Sequence, residues 1–283
     1  MSSPDHRPSA ELRRRAVFLD FDGTYARGGV VPHEHDAAVR RARSGGHAVL
    51  LCTGRASSML SPEVLDGLDG TISSAGAHVR IGDRLLCDVR FPPALGRRAV
   101  AVLEEHDAAF ALEAPEALYC APETFAHLSR RWQAANPPPG IGRGPADLAR
   151  GVVTDADLSR CSFAKITVWR SPIPLEELAT MIGPEIGALP SSLDLEGSGS
   201  GELHLRSVDK ADGMRRAAEH LGIAMADTIG IGDGMNDLGM LRAAGTGIAI
   251  AGSPAEVQRA ADMLAPPPEE LGIRSVLDRL GLL

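Results

Sequence analysis

Short apolar segments without polar alternation recur along the first part of the chain, and each one ends abruptly in polar residues. They lie at residues 17–19, 47–52 and 71–74. Such segments are typical of strands that are buried on both faces of a parallel sheet. Between them, residues 33–44 and a segment from 56 to about 68 have the pattern of helices. The order strand, helix, strand, helix, strand predicts a doubly wound α/β domain.

The pattern changes after residue 77. Two short strands around Gly82-Asp83 predict a hairpin, and an irregular mixture of helices and strands follows. The mixture consists of helices predicted at 93–106, 123–135 and 175–182, strands predicted at 109–112, 117–120, 162–170 and near residues 193 and 203, and a breaker-rich loop at 136–145.

The last part of the chain restores the alternation of helices and buried strands. Its predicted elements are helices at 209–221 and 236–244 and strands at 227–232 and 247–250. We therefore expect the α/β class, with a doubly wound parallel-sheet core that is interrupted by an α+β insertion. The core is expected to take residues 1–87 and 204–283, and the insertion residues 88–203.

The composition of the 283 residues is that of a globular protein, since 44% are apolar and 23% are charged. The net charge of −8 and the lack of a basic cluster interleaved with aromatic residues argue against a nucleic-acid partner. No apolar run is long enough to span a membrane, and the first residues lack the apolar segment of a signal peptide. Four widely spaced cysteines favour free thiols in a reducing cytoplasm over disulfides or a zinc site. We expect a cytoplasmic protein, and the sequence does not indicate its oligomeric state.

Two carboxylates one residue apart follow the first strand. Asp20 and Asp22 lie at the edge of the predicted sheet where α/β proteins bind ligands. Crowded carboxylates repel each other unless a cation or a shared proton relieves them, and Mg²⁺ is the simplest such cation with oxygen ligands. Gly23 allows a sharp turn that brings backbone N–H groups close to a ligand. The alternative is an ordinary turn, because Asp and Gly are the commonest turn residues.

Further polar sites lie at strand ends or helix starts of the same predicted core. They are Thr53 with Gly54, Lys210, and the group Asp233, Asn236 and Asp237. Together with the two aspartates they supply a carboxylate nucleophile, a second carboxylate, a hydroxyl, an ammonium and an acidic pair. Phosphoryl transfer needs this set, because it depends on positioning and on neutralisation of the phosphoryl oxygens. Lys210 alone would be typical of a solvated helix start.

In order and position these sites resemble the four motifs of the haloacid dehalogenase (HAD) superfamily. More narrowly, the chain resembles the Cof-like phosphatases, which carry a large α+β cap between the second and third motifs. Residues 72–77, 207–213 and 247–250 match further features of that group. The motifs that carry the resemblance are Asp20-Phe-Asp-Gly-Thr24, Thr53-Gly-Arg55, Lys210 and Gly232-Asp-Gly-Met-Asn-Asp237.

The resemblance implies a role for each of these residues. Asp20 would be the nucleophile that forms an aspartyl phosphate, and Asp22 would act as acid and then as base. Thr53 and Lys210 complete the catalytic set. The cofactor Mg²⁺ would be bound by Asp20, the backbone carbonyl of Asp22 and Asp233. Phosphate binding and support would come from Gly23, Thr53, Gly54, Lys210, Asn236 and Asp237.

The implied activity is hydrolysis of a small phosphorylated metabolite, with a sugar phosphate as the expected class. A phosphosugar mutase on the same fold and a non-catalytic metabolite-binding protein on a HAD core are the alternatives. Asp22 argues against a dehalogenase, which needs no such acid. The length and the insertion argue against a receiver-type signalling domain. Three places depart from the family pattern without removing a catalytic group. They are Ala75, where Asn is usual, Ala211, where Gly is common, and the Gly252-Ser253 region, where Asn is common after the last core strand.

The insertion is expected to contact the substrate, but its sequence indicates few contact residues. Candidate pocket residues are Tyr119, Trp132, Lys165 and Trp169. Aromatic residues at such spacing are more often part of a core. The histidines at positions 33, 35, 78 and 204 are similarly consistent with surface or core positions.

Overall fold

The computed structural model describes residues 13–134, 136–190 and 199–283. In this part of the chain there are two β-sheets, one of eight strands and one of six. The eight-stranded sheet takes its strands from both ends of the chain, and the six-stranded sheet takes them from the segment between. The α/β core with an inserted α+β segment is therefore confirmed.

The strands are short, and many of them are fully buried. Those in the described residues are β1 (Ala16–Leu19), β2 (Ala48–Cys52), β3 (Gly70–Ser73), β4 (His78–Ile81), β5 (Arg84–Asp88), β6 (Ala109–Glu113), β7 (Leu118–Cys120), β8 (Val152–Val153), β9 (Lys165–Arg170), β10 (Ile186–Pro190), β11 (Gly201–Leu205), β12 (Thr228–Gly232), β13 (Thr246–Ile250) and β14 (Met263–Ala265).

Helices separate many of these strands along the chain. They are α1 (His33–Ser44), α2 (Pro62–Asp66), α3 (Pro93–Glu105), α4 (Pro122–Ala134), α5 (Pro145–Leu148), α6 (Leu175–Ile182), α7 (Lys210–Leu221), α8 (Leu238–Ala243), α9 (Ala255–Ala260) and α10 (Gly272–Arg279). Within the described ranges, no helix is both long enough and apolar enough to cross a bilayer.

The eight-stranded sheet has the order β14-β13-β12-β1-β2-β3-β4-β5. The six strands from β14 to β3 are parallel, and the hairpin of β4 and β5 adds two antiparallel strands at one edge. All four residues of β1 are buried, because helices cover both faces of the sheet at its centre. β1 therefore lies at the centre of the core.

The six-stranded sheet has the order β10-β11-β9-β6-β7-β8 and is mostly antiparallel. One of its faces packs on α3 and α6 through a large apolar cluster. The opposite face turns toward the eight-stranded sheet, since Ala111 and Leu118 pack there against Ala56 and Met59 from the loop after β2. Backbone hydrogen bonds of 2.9 Å in both directions between Val31 and Ile141 also join the two parts.

Several local predictions agree closely with the structure. The helices predicted at 33–44 and 175–182 have the bounds of α1 and α6. The segment 56–68 instead forms a short 3-10 turn followed by α2, because Ser61 caps a new helix that begins at Pro62.

The insertion deviates more from its prediction. The strand predicted near residue 193 lies outside the described residues, and β10 is a strand that the sequence pattern does not predict. β10 lies at a sheet edge and contains glycine, alanine and proline, which have low strand propensity. The domain boundaries at 87/88 and 203/204 stay a prediction. In the structure, β5 of the eight-stranded sheet runs to Asp88, and β11 of the six-stranded sheet runs to Leu205.

Truncation of Leu103 tests the apolar core of the insertion. Leu103 lies on α3, is fully buried and belongs to the cluster beneath the six-stranded sheet. Leu103→Ala should lower the free energy of unfolding by about 2–5 kcal/mol, because it removes apolar contacts and leaves a cavity. Urea denaturation followed by circular dichroism measures this change.

Leu85→Ala is the matched control, because Leu85 is 46% exposed on β5. It should change the free energy of unfolding by less than about 0.5 kcal/mol. Equal effects of the two substitutions would contradict the assignment of Leu103 to a packed core.

Candidate active site

The predicted site residues meet at one edge of the eight-stranded sheet. From β1 the chain continues to β2 and β3 on one side, and later strands β12 and β13 lie on the other side. In α/β sheets a ligand crevice forms beyond the carboxyl ends of the strands at such a switch point. Asp20 follows β1, Thr53 follows β2 and Asp233 follows β12. α7 begins beside them with Lys210.

Lys210 lies between two aspartates in the interior of the site. Its Nζ is 2.6 Å from Oδ1 of Asp20 and 2.6 Å from Oδ1 of Asp237. All three side chains are buried. Burial alone would lower the pKa of Lys210, but the two carboxylates outweigh it and raise the pKa well above its usual value. The alternative of a solvated helix start is therefore wrong, and Lys210 is a fixed positive charge.

The carboxylates of the site outnumber its positive charge. Oxygen atoms of Asp20, Asp233 and Asp237 lie within 4.8 Å of one another. Burial raises the pKa of Asp20. The charge of Lys210 acts against this rise, and the charges of Asp237 and Asp233 add to it. Burial and the charge of Asp237 raise the pKa of Asp233 to about 6. Because one ammonium cannot neutralise three carboxylates, this arrangement would be stabilised by a bound cation.

Mg²⁺ fits this set of donors, since carboxylate oxygens are the ligands that this hard cation prefers. The carboxylate of Asp22 is not one of the three that lie together. Its expected contribution is through the backbone carbonyl, and that contribution stays a prediction.

Asp237 organises the loop after β12. Its Oδ2 accepts hydrogen bonds from the backbone N–H groups of Asp233 at 3.0 Å and Gly234 at 2.9 Å. Its Oδ1 contacts Lys210. Both oxygens therefore have protein partners, which favours the supporting role expected from the sequence over a primary role in metal binding.

The turn after β1 is built around Gly23. This residue has φ +84°, a left-handed conformation that favours glycine. A Cβ at this position would collide with the carboxylate of Asp233. The next residue, Thr24, donates a hydrogen bond of 2.9 Å to Oδ1 of Asp233. The turn thus brings the loops after β1 and β12 into direct contact.

Asp22 has a cationic partner that the sequence analysis missed. Arg55 contacts both of its carboxylate oxygens, from Nε at 2.6 Å and from Nη2 at 2.7 Å. The guanidinium also lies 4.8 Å from the ring centroid of Phe21, which adds a cation–π contact. This pairing fixes the orientation of the Asp22 carboxylate, which is half exposed. The position of Arg55 within the second motif was the available signal.

The loop after β2 places Thr53 and Gly54 beside these groups. Thr53 is buried, and its Oγ1 accepts a hydrogen bond of 3.1 Å from the backbone N–H of Arg55. A Cβ on Gly54 would lie 3.3 Å from Nδ2 of Asn236, so the second and fourth motifs adjoin here. The carbonyl of Gly54 accepts a hydrogen bond of 2.6 Å from Lys165 of the insertion.

A tight turn after β3 supports the same loop. The backbone N–H groups of Ser74 and Ala75 donate to the carbonyls of Arg55 and Thr53 at 2.8 and 3.0 Å. Ala75 has φ +57°, a conformation that asparagine adopts more easily than alanine. The departure from the family pattern at this position therefore leaves the turn intact but makes its backbone less favourable.

Comparisons with known proteins agree with this geometry. The sequence model of the haloacid dehalogenase-like hydrolases matches residues 17–277. The chain belongs to the haloacid dehalogenase-like hydrolase family. The assignment made from the four motifs is confirmed.

Several relatives of this hydrolase are known. YkrA of Bacillus subtilis, provisionally named a phosphatase, is 24% identical over 278 residues, which cover 95% of this chain and 98% of that protein. A phosphoglycolate phosphatase of Archaeoglobus fulgidus is 41% identical over 76 residues, 27% of this chain and 34% of that enzyme. A solved sugar phosphatase of HAD subclass IIB has a TM-score of 0.75 at 20% identity, with 95% of this chain and all of that chain covered. At this identity the structural likeness shows the fold alone.

The hydrolase fold thus brings the predicted residues together in two groups. The first surrounds Lys210, and the second surrounds the loop of Thr53 and Gly54 with Asn236. Sequence reasoning missed two acidic residues beside the second group, Glu113 and Glu202. They are isolated glutamates beside predicted strands, and no local pattern marks them as part of a site.

Substitution of Asp233 should change how stability depends on pH. Its folded-state pKa of about 6 exceeds the usual 3.8, so the native protein keeps a proton that the unfolded chain releases as the pH rises from about 4 to about 6. Without divalent cations, the free energy of unfolding should therefore fall across this interval. Asp233→Asn should remove that part of the fall. Urea denaturation in EDTA at several pH values compares the two proteins.

Asp83→Asn serves as the control, since Asp83 is exposed in the turn between β4 and β5. This variant should keep the wild-type dependence on pH. The same dependence in Asp233→Asn would show that another group releases the proton.

Proposed function

We propose that this hydrolase is a Mg²⁺-dependent phosphatase that cleaves a small phosphorylated metabolite, with a sugar phosphate as the expected class, through an aspartyl-phosphate intermediate. The observation that carries the proposal is the buried Lys210, which Asp20 and Asp237 share at 2.6 Å each beside the acidic group at the end of β1. Relatives named as phosphatases support it. A cytoplasmic location is part of the same proposal.

The first step is transfer of the phosphoryl group to the enzyme. An oxygen of the Asp20 carboxylate attacks phosphorus, and the bond from phosphorus to the leaving oxygen breaks. Asp22, which must enter this step as the protonated carboxylic acid, gives its proton to that oxygen, so the product leaves as a neutral alcohol. Arg55 holds the Asp22 carboxylate that this proton transfer leaves.

The second step is hydrolysis of the aspartyl phosphate. Water attacks phosphorus, Asp22 takes a proton from it, and the bond from phosphorus to the Asp20 oxygen breaks. Inorganic phosphate is released, Asp20 is again a carboxylate, and Asp22 is again the protonated acid.

Other residues of the site hold the phosphoryl group and its charge. Lys210 is a fixed cation beside the nucleophile, and the Thr53 hydroxyl, the Gly54 backbone and Asn236 supply polar atoms at the neighbouring loop. Mg²⁺, held by Asp20, Asp233 and the carbonyl of Asp22, would neutralise charge on the phosphoryl oxygens when bound.

Asp20→Asn tests the nucleophile. The amide is a poor nucleophile, so phosphate release from a panel of phosphorylated metabolites with Mg²⁺ should fall by at least about a thousandfold. A colorimetric phosphate assay measures turnover, and circular dichroism checks that the variant is folded. Asp83→Asn, in an exposed turn, is the control and should keep wild-type turnover.

The outcome decides between the alternatives. Turnover of Asp20→Asn at the wild-type rate would remove the nucleophile assignment. Recovery of an isomerised hexose phosphate without phosphate release would identify a mutase. A wild-type protein that binds phosphorylated metabolites but changes none of them would be a binding protein on a HAD core.

Metal removal tests the cofactor. EDTA should abolish phosphate release, and added Mg²⁺ should restore it. Asp233→Asn should weaken Mg²⁺ binding by at least about tenfold, because it removes a charged ligand. Isothermal titration calorimetry with Mg²⁺ alone measures this without reference to turnover. Equal affinity in the wild type and the variant would exclude Asp233 as a ligand.

A further inference from the structure

The six-stranded sheet presents one polar patch to the loop after β2. Side chains alternate between the faces of a strand, so Ile166 and Val168 of β9 point into the apolar cluster with α3 and α6, whereas Lys165 lies on the other face. Glu113 of β6 and Glu202 of β11 contact Lys165 and share that face. The three residues come from adjacent strands and form what we call the Lys165 cluster.

Three oxygen atoms surround the buried ammonium group of Lys165. Its Nζ is 2.5 Å from Oε1 of Glu202, 2.6 Å from the carbonyl of Gly54 and 3.3 Å from Oε2 of Glu113. Burial alone would lower the pKa of Lys165, but the two glutamates outweigh it and raise the pKa. Lys165 thus makes two hydrogen bonds and an ion pair with Glu113, and the two glutamates outnumber its single positive charge.

The two glutamates of the cluster differ in their surroundings. Glu113 is 1% exposed and also accepts a hydrogen bond from the hydroxyl of Thr167, so it is enclosed by the insertion itself. The side chain of Glu202 is 28% exposed. Among the described residues, only its Oε1 has a hydrogen-bond partner. Its Oε2 is therefore available to accept a hydrogen bond.

Glu202 lies where a leaving group would emerge from the phosphate site. The position of a Cβ on Gly54 is 3.7 Å from Oε1 of Glu202 and 3.3 Å from Nδ2 of Asn236. Glu202 and Asn236 therefore flank the same glycine, one from the insertion and one from the core. A phosphoryl group held by the core would direct the rest of its substrate toward the insertion, and so toward Glu202.

We propose that Glu202, held in place by Lys165, is a specificity-determining residue that accepts hydrogen bonds from hydroxyl groups of the leaving group. This inference rests on the proposed phosphatase function. It assigns the substrate to the phosphate monoesters of polyhydroxylated compounds. Leaving groups that carry a carboxylate are disfavoured, because an open carboxylate oxygen repels them and the cluster has no uncompensated positive charge.

Glu202→Gln tests this assignment with little change in volume. The reference compound is p-nitrophenyl phosphate, whose leaving group carries no further hydroxyl group. The ratio of kcat/KM for a hexose phosphate to kcat/KM for this compound should fall by about tenfold or more, because the variant loses a charged hydrogen-bond acceptor. The ratio for phosphoglycolate, which carries a carboxylate, to p-nitrophenyl phosphate should rise. Both ratios are measured in the presence of Mg²⁺.

Glu113→Gln is the matched control, since it removes a carboxylate from the same lysine on the enclosed side of the cluster. It should leave both ratios within about twofold of the wild-type values. Equal changes in the two variants would show that the charge of the cluster, and not contact with substrate, sets the ratios. That result, or unchanged ratios in Glu202→Gln, would overturn the proposal.

Hydrolysis of p-nitrophenyl phosphate, the compound used as the reference in both ratios, separates a failure of this inference from a failure of the proposed function. If the wild type hydrolyses p-nitrophenyl phosphate and Asp20→Asn does not, the phosphatase assignment stands, and the ratios alone decide the role of Glu202. If the wild type releases phosphate from none of the three compounds or from a wider panel, the proposed function fails first. A wild-type preference for phosphoglycolate over hexose phosphates would overturn the substrate class while leaving the phosphatase assignment intact.

Discussion

A buried ammonium is stable in a protein only when carboxylates share its charge, and the core of this hydrolase depends on that requirement. Lys210 has two such partners, one after β1 and one after β12. The second partner, Asp237, also holds the backbone of its own loop through two N–H groups. One charge therefore ties together the start of α7 and the ends of two strands that are distant in sequence. The loops at the sheet edge have a fixed arrangement because any other would leave a charge without a partner in the interior.

The insertion satisfies the same requirement with a different result. The chain has only two lysines, and both are buried between carboxylates. Around Lys210 three carboxylates lie close together beside one ammonium, which leaves a demand for a further cation. Around Lys165 a backbone carbonyl of the core completes the set of acceptors. The first arrangement thus favours a metal, and the second attaches the insertion to the loop that carries Thr53. Lys210 thus neutralises negative charge in the site, and Lys165 attaches the insertion to the core.

Local sequence patterns were sufficient for the core, and the order of the four motifs identified the residues around Lys210. Uniformly apolar segments identify buried strands, and α1 has clear limits because Pro32 precedes it and Gly45-Gly46 follow it. The Lys165 cluster could not be predicted, since its members come from three strands whose pairing depends on tertiary structure. β10 was missed for a related reason, because pairing with β11 overrides its weak propensity. The contact between Arg55 and Asp22 likewise joins two loops whose proximity only the folded sheet establishes.

The alternation of side chains along β9 and β11 has a consequence for how such an insertion can diverge. The residues that pack on α3 and α6 and those that face the crevice occupy opposite sides of the same strands. A slip of one residue in the pairing would exchange the two sets and bury Lys165 in an apolar cluster, so the register is strongly constrained. With the register fixed, substitutions on the crevice side leave the packed side unchanged. Related chains can therefore acquire different substrate ranges by point substitutions while they keep one common architecture.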